Sequence, residues 1–214
     1  MASRVNSALC AKADAILKFW FGATYPTTLE IRSAVWFARN AEFDASVAAS
    51  FGDLVHDLGT TSASALLPLL HANPFSVKVA TVLCLDQFTR NLYRDDKRAF
   101  ASDALASTFV LETLAHSEPD FLSRHVLEQA FFLMPLMHSE ETAVHARAAE
   151  LFPPLATRTD DPQLKGMLTQ FAKYEVDHKK IIDAYGRYPH RNKVLGREST
   201  PAEIEYLADP NAGF

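Results

Sequence analysis

The 214-residue chain has only 2 cysteines, Cys10 and Cys84, and neither has a partner at the spacing of a metal knuckle or a redox pair. Isolated thiols of this kind read as small buried hydrophobes in a reducing compartment. Glycine is scarce too: there are 7, and none forms the Gly-rich loop that cradles a phosphate. No apolar run approaches the ~20 residues of a membrane span, and the first residues lack the apolar core of a secretory signal. The expected setting is therefore the cytoplasm, without a membrane contact. Positive charge is in deficit, with 21 Lys and Arg against 26 Asp and Glu. The basic residues are scattered except between Arg187 and Arg197, so the broad footprint of a nucleic-acid binder is missing.

Chemical signatures are missing as well. No nucleophile elbow surrounds a serine, and neither cysteine has a basic neighbour that would activate it. No pair of histidines sits four apart on a helix with a Glu between, so a metal site is not expected. His138, Glu140, His178 and His190 are the donors that a zinc alternative would have to use. No alternating apolar and polar run lies between hairpin turns, which removes β-sheet from the expectation.

What is present is helical periodicity in a chain that is 48% hydrophobic with 15 Phe, enough for one core and a single domain over residues 1–214. Thr27-Thr28-Leu29-Glu30 has capping-box spacing before Val35-Trp36-Phe37, which predicts two helices within 28–58. Asn73-Pro74 reads as a cap and first helical residue, with the helix reaching about Arg90. Further helices are expected over 103–115, 121–137 and 140–151, with Pro135 bending or ending the second of these. The longest pattern runs from Pro162 to Tyr185, with Tyr174 and His178 on its inward stripe, and stops at Gly186 and Pro189. Thr200-Pro201-Ala202-Glu203 opens the last helix with a complete capping box. The fold class is all-α, with roughly eight to ten helices at typical helix lengths.

Three polar clusters interrupt this apolar pattern. Asp86 and Arg90 are four apart on a helix with an apolar lead-in, and with Gln87 and Asn91 they read as a paired network beside the core. His138 and Glu140 stand two apart near a bend, where their side chains diverge. A satisfied interior histidine and a helix-capping glutamate are the plain reading of that pair. His178 lies among Phe171, Tyr174, Ile181 and Ile182, where burial favours its neutral form. The run Arg187-Tyr188-Pro189-His190-Arg191-Asn192, with Arg197 after it, sets guanidinium groups, an imidazole and an amide on a Gly-Pro corner. That corner suits either an anion or a C-terminal clamp in which arginines bond to helix carbonyls.

The combination Phe19-Trp20-Phe21-Gly22, Leu85-Asp86-Gln87-Phe88, Arg90-Asn91, Met134-Pro135-Leu136, His138-Ser139-Glu140, Pro189-His190-Arg191-Asn192, Leu195-Gly196-Arg197 and Ser199-Thr200 resembles the domain-of-unknown-function 924 family. The resemblance covers about residues 14–208. It implies a helical fold akin to tetratricopeptide repeats and no particular reaction. Thr89 stands where the family usually has Pro, and Tyr188 where it commonly has Phe. No 34-residue repeat is countable in the chain itself.

Three functions compete. The first is a pocket for a small anionic or polar ligand formed by Asp86, Gln87, Arg90, Asn91, Arg187, Arg191, Asn192 and Arg197. The second is a hydrolase or transferase using His138, Glu140, His178 or His190 for acid–base work. The third is a helical scaffold for a protein partner. No pattern names a cofactor or sets an oligomeric state.

Overall fold

The computed structural model describes residues 1–209, 212 and 213. The described residues form twelve α segments and no strand: α1 Ala2–Phe21, α2 Ser33–Trp36, α3 Ala41–Thr60, α4 Ala63–His71, α5 Phe75–Val82, α6 Thr89–Leu92, α7 Asp103–Ser123, α8 Val126–His138, α9 Thr142–Leu151, α10 Pro162–Tyr185, α11 Asn192–Leu195 and α12 Pro201–Leu207. A π-helical stretch, Leu83–Phe88, joins α5 to α6 in one rod. No helix among the described residues is long and apolar enough to cross a membrane.

Two elements are apolar all round and are buried accordingly. Residues 77–89, in the α5–α6 rod, are all buried. So is α8 from Val126 through Met137. α1, α3, α4, α7, α9 and α10 pack against one or both of these two. Trp36 packs edge-on against Phe131 of α8 at 4.7 Å, and Phe51 of α3 stacks on Phe88 of the rod at 5.3 Å. A polar side chain on either central element has no water to turn to, so Asp86 and Gln87 must find partners inside the protein.

Several boundaries differ from the sequence expectation. Glu30 does not close a capping box; residues 28–32 are irregular, and Asn40 caps α3 by accepting from the backbone N–H of Glu42 and Phe43. Asn73 lies one residue before its expected place, because Pro74 is the cap and the Asn73 amide donates to Asn6 instead. Pro135 does not end α8, which continues to His138. The α8 start is fixed by a capping box that uses an unusual residue: His125 Nδ1 accepts from Leu127 N–H, and Glu128 returns to His125 N–H. Tyr174, expected on the inward stripe of α10, is exposed, and Glu175 is buried in its place. The end of α10 is as expected, with Gly186 left-handed at φ 69°. The Thr200–Glu203 capping box of α12 is also present.

Candidate functional site

Asp86 and His138 come from the two central elements, and they meet. His138 Nδ1 donates to Asp86 Oδ1 at 2.7 Å, while Gln87 Nε2 donates to Asp86 Oδ2 at 2.6 Å. Arg90, one turn on, places Nη1 3.2 Å from Asp86 Oδ1, as the four-residue spacing predicts. Burial alone would raise the Asp86 carboxyl, but the His138 ring, the Arg90 guanidinium and the Gln87 bond hold it well below the usual carboxylate range. Burial, helped by the Arg90 charge, pushes His138 below its ordinary value despite Asp86. The ring is thus neutral near pH 7, with its proton on Nδ1 and its lone pair on Nε2. Nε2 makes no hydrogen bond among the described residues. The widened π turn that carries Asp86 and Gln87 is a backbone form often found at functional sites.

Asp103, the first residue of α7, joins this pair to the C-terminal corner. It accepts from Arg90 Nη1 at 3.1 Å and Nη2 at 3.0 Å, and from Arg191 Nη1 at 3.0 Å. Arg191 Nη2 donates to the His138 carbonyl at 3.1 Å, and its guanidinium lies 4.5 Å from the Phe100 ring and 4.4 Å from the Tyr188 ring. Arg191 Nε is buried without a partner among the described residues. His138, Arg191, Asp103 and Glu140 border one cleft of about 280 Å³, with Lys97 and Ser139 also on its wall.

Glu140 turns from His138 toward the C-terminal corner. It forms a two-pronged pair with Arg197, Nη1 to Oε2 at 2.6 Å and Nη2 to Oε1 at 3.0 Å, and it accepts Tyr188 N–H at 2.8 Å. It does not cap α9, whose cap is Glu141 without a side-chain bond. Burial alone would raise its carboxyl, but the Arg197 and Tyr188 bonds hold it low. Asn192 Oδ1 accepts Arg197 Nε at 2.9 Å, and Arg187 grips Glu203 with Nε at 2.6 Å and Nη2 at 2.8 Å. Arg187 and Asn192 therefore belong to a clamp, outside the cleft. Asn91 is also remote from it, donating to Asp44 Oδ1 at 2.8 Å.

Tyr188 is the hub that sequence reasoning missed. Its hydroxyl donates to the Met137 carbonyl at 2.6 Å and lies 3.1 Å from His145 Nε2. His145 Nε2 also reaches the Ser139 carbonyl at 2.8 Å, and Nδ1 meets Glu175 Oε1 at 2.8 Å. These contacts hold the backbone on both sides of His138. The His178 ring sits 5.7 Å and the His190 ring 5.4 Å from Tyr188, and neither is among the residues that line the cleft. His178 Nδ1 donates to the Tyr174 carbonyl at 2.7 Å, and burial pushes its pKa down to about 3. Burial and the Arg191 charge push His190 down to about 4. Of the expected site residues, His138, Glu140 and Arg191 line the cleft; Asp86 and Arg90 reach it only through their bonds to His138 and Asp103, with Gln87 bonded to Asp86. No group of three or more His, Cys, Asp or Glu among the described residues is arranged to hold a metal ion.

Comparison with known proteins agrees with this architecture. A solved structure titled as a protein of unknown function, ATU0120, from Agrobacterium tumefaciens superposes with a TM-score of 0.71 and is 29% identical, covering 92% of this chain and 97% of that one. No curated protein matches the chain. The model of the family described as "Bacterial protein of unknown function (DUF924)" matches residues 16–211, so the chain belongs to that family.

Proposed function

We propose that the His138 cleft binds a small polar ligand that presents a hydrogen-bond donor to His138 Nε2. The observation that carries this reading is the buried Asp86–His138 bond, which leaves Nε2 as the acceptor of a histidine that borders the cleft. Arg191 on the cleft, and Arg90 and Arg197 bonded to the carboxylates that line it, are already engaged, Arg90 and Arg191 by Asp103 and Arg197 by Glu140. Lys97 on the rim has no ion pair among the described residues. A neutral or singly anionic ligand therefore suits the site better than a strongly charged one. The small, polar hollow also favours a metabolite over a peptide groove.

Acid–base catalysis is the second reading, favoured by the same pair. A carboxylate on Nδ1 fixes the tautomer of a base whose Nε2 takes the proton. Cys84 is buried as expected, whereas Cys10 is exposed on α1; both are free thiols, which supports a reducing, cytoplasmic setting for either activity. A thermal-shift panel of polyols, weak acids and hydroxy acids tests the binding reading. His138→Asn retains a donor toward Asp86 and removes the Nε2 acceptor. A ligand that raises the melting temperature of the native protein should lose at least about tenfold in affinity in this variant. An unchanged affinity would reject His138 as the contact.

A further inference from the structure

A second cleft, of about 520 Å³, lies between residues 26–31, the α7–α8 junction and the start of α10, and shares no residue with the His138 cleft. Glu128, on its wall, is saturated: Oε1 accepts from Tyr25 Oη at 2.8 Å and Arg124 Nη2 at 2.6 Å, and Oε2 accepts His125 N–H at 3.2 Å. Arg124 is only partly engaged. Its Nη2 also reaches Tyr25 Oη at 3.0 Å, whereas Nη1 makes no hydrogen bond among the described residues and Nε is buried without a partner. Arg124 also borders a smaller hollow of about 300 Å³. Asp161, on another wall, uses Oδ1 to cap Leu164 N–H at 2.8 Å and has no ion pair among the described residues. Leu29, Ile31, Leu127 and Leu164 supply apolar surface in the same cleft.

An unused guanidinium nitrogen, an unpaired carboxylate and an aliphatic wall within one hollow complement a molecule that carries both charges and an apolar body. We infer that this cleft binds a free apolar α-amino acid. Its carboxylate lies on Arg124 Nη1, its ammonium on Asp161, and its side chain against Leu29, Ile31, Leu127 and Leu164. An acid without an amine would meet Asp161, and an amine without an acid would meet Arg124.

The test is calorimetric titration of the full chain with L-leucine and L-phenylalanine, beside L-leucinamide and 4-methylpentanoate, which each lack one charge. The amino acids should bind in the micromolar to millimolar range, and each analogue about tenfold or more weakly. Asp161→Asn retains the helix cap, because Asn caps as well as Asp. It should leave the melting temperature in place and weaken leucine about tenfold. His138→Asn should leave leucine binding unchanged, which separates this cleft from the other. The inference is overturned if neither amino acid binds at about 10 mM. Equal binding of leucine and leucinamide, or an unaffected leucine affinity in Asp161→Asn, overturns it too.

Discussion

Two polar networks meet at Tyr188, and they differ in what they leave unengaged. The first joins Asp86, His138, Arg90, Asp103 and Arg191 across four separate stretches of chain and ends on a cleft, with His138 Nε2 free of hydrogen bonds among the described residues. The second joins Arg187, Glu203, Asn192, Arg197 and Glu140, and its groups bond to one another and to nearby carbonyls. In sequence both are polar runs after an apolar helix. In space one ends at a cleft and the other fastens residues 186–207 to the start of α9. A network that closes on itself is sufficiently explained by stability, whereas one that stops at a cavity wall leaves an acceptor for water or a ligand.

The largest effect should come from acid, because the buried rings lie at the seam between the networks. His178 and His190 have folded values of about 3 and about 4, below the ordinary 6.5. A depressed folded value means that the unfolded chain binds the proton first. Their contribution is present above about pH 6.5 and is lost as pH falls toward 4, on the order of 3 kcal/mol for each ring. Glu175, whose carboxyl is raised by burial, acts in the opposite sense. Urea denaturation at pH 7 and pH 4.5 should show the fall, and His178→Asn should flatten it; a pH-independent midpoint in the native protein would break the account.

Next in size is Asp86→Ala, which leaves His138 Nδ1 and Gln87 without their acceptor in a dry core. A cost of about 3–5 kcal/mol is expected, seen as a fall in melting temperature on the order of 10 °C. Glu140→Gln cuts the clamp instead. It should cost about 1–2 kcal/mol, and the loss should be local. Hydrogen exchange should quicken over residues 186–207 while the α5–α6 rod keeps its protection. If Glu140→Gln loosened the rod as much as the clamp, the two networks would be one cooperative unit and the contrast would fail.

Much of this was legible from local pattern. The Thr200–Glu203 box, the Gly186 stop and the Asp86–Arg90 pair are encoded within a few residues of sequence, so short-range rules find them. The Asp86–His138 bond spans 52 residues, and the His145–Glu175 bond spans 30. Such pairings depend on which helices become neighbours, which single-sequence periodicity does not state. Asp103 was overlooked because its local signal is only that of a helix start, although it anchors two arginines. Glu30 misled for the opposite reason, since capping-box spacing is present where the chain stays irregular.

The central claim is that Asp86 fixes His138 as a neutral ring with Nε2 unprotonated. Side-chain nitrogen NMR of histidine-labelled protein, with His138 assigned by His138→Asn, measures this directly. At pH 7 the account predicts the Nδ1–H tautomer for His138, with protonation below the ordinary histidine range because the ring is buried. An Nε2–H tautomer, or a doubly protonated His138 ring at pH 7, would contradict it.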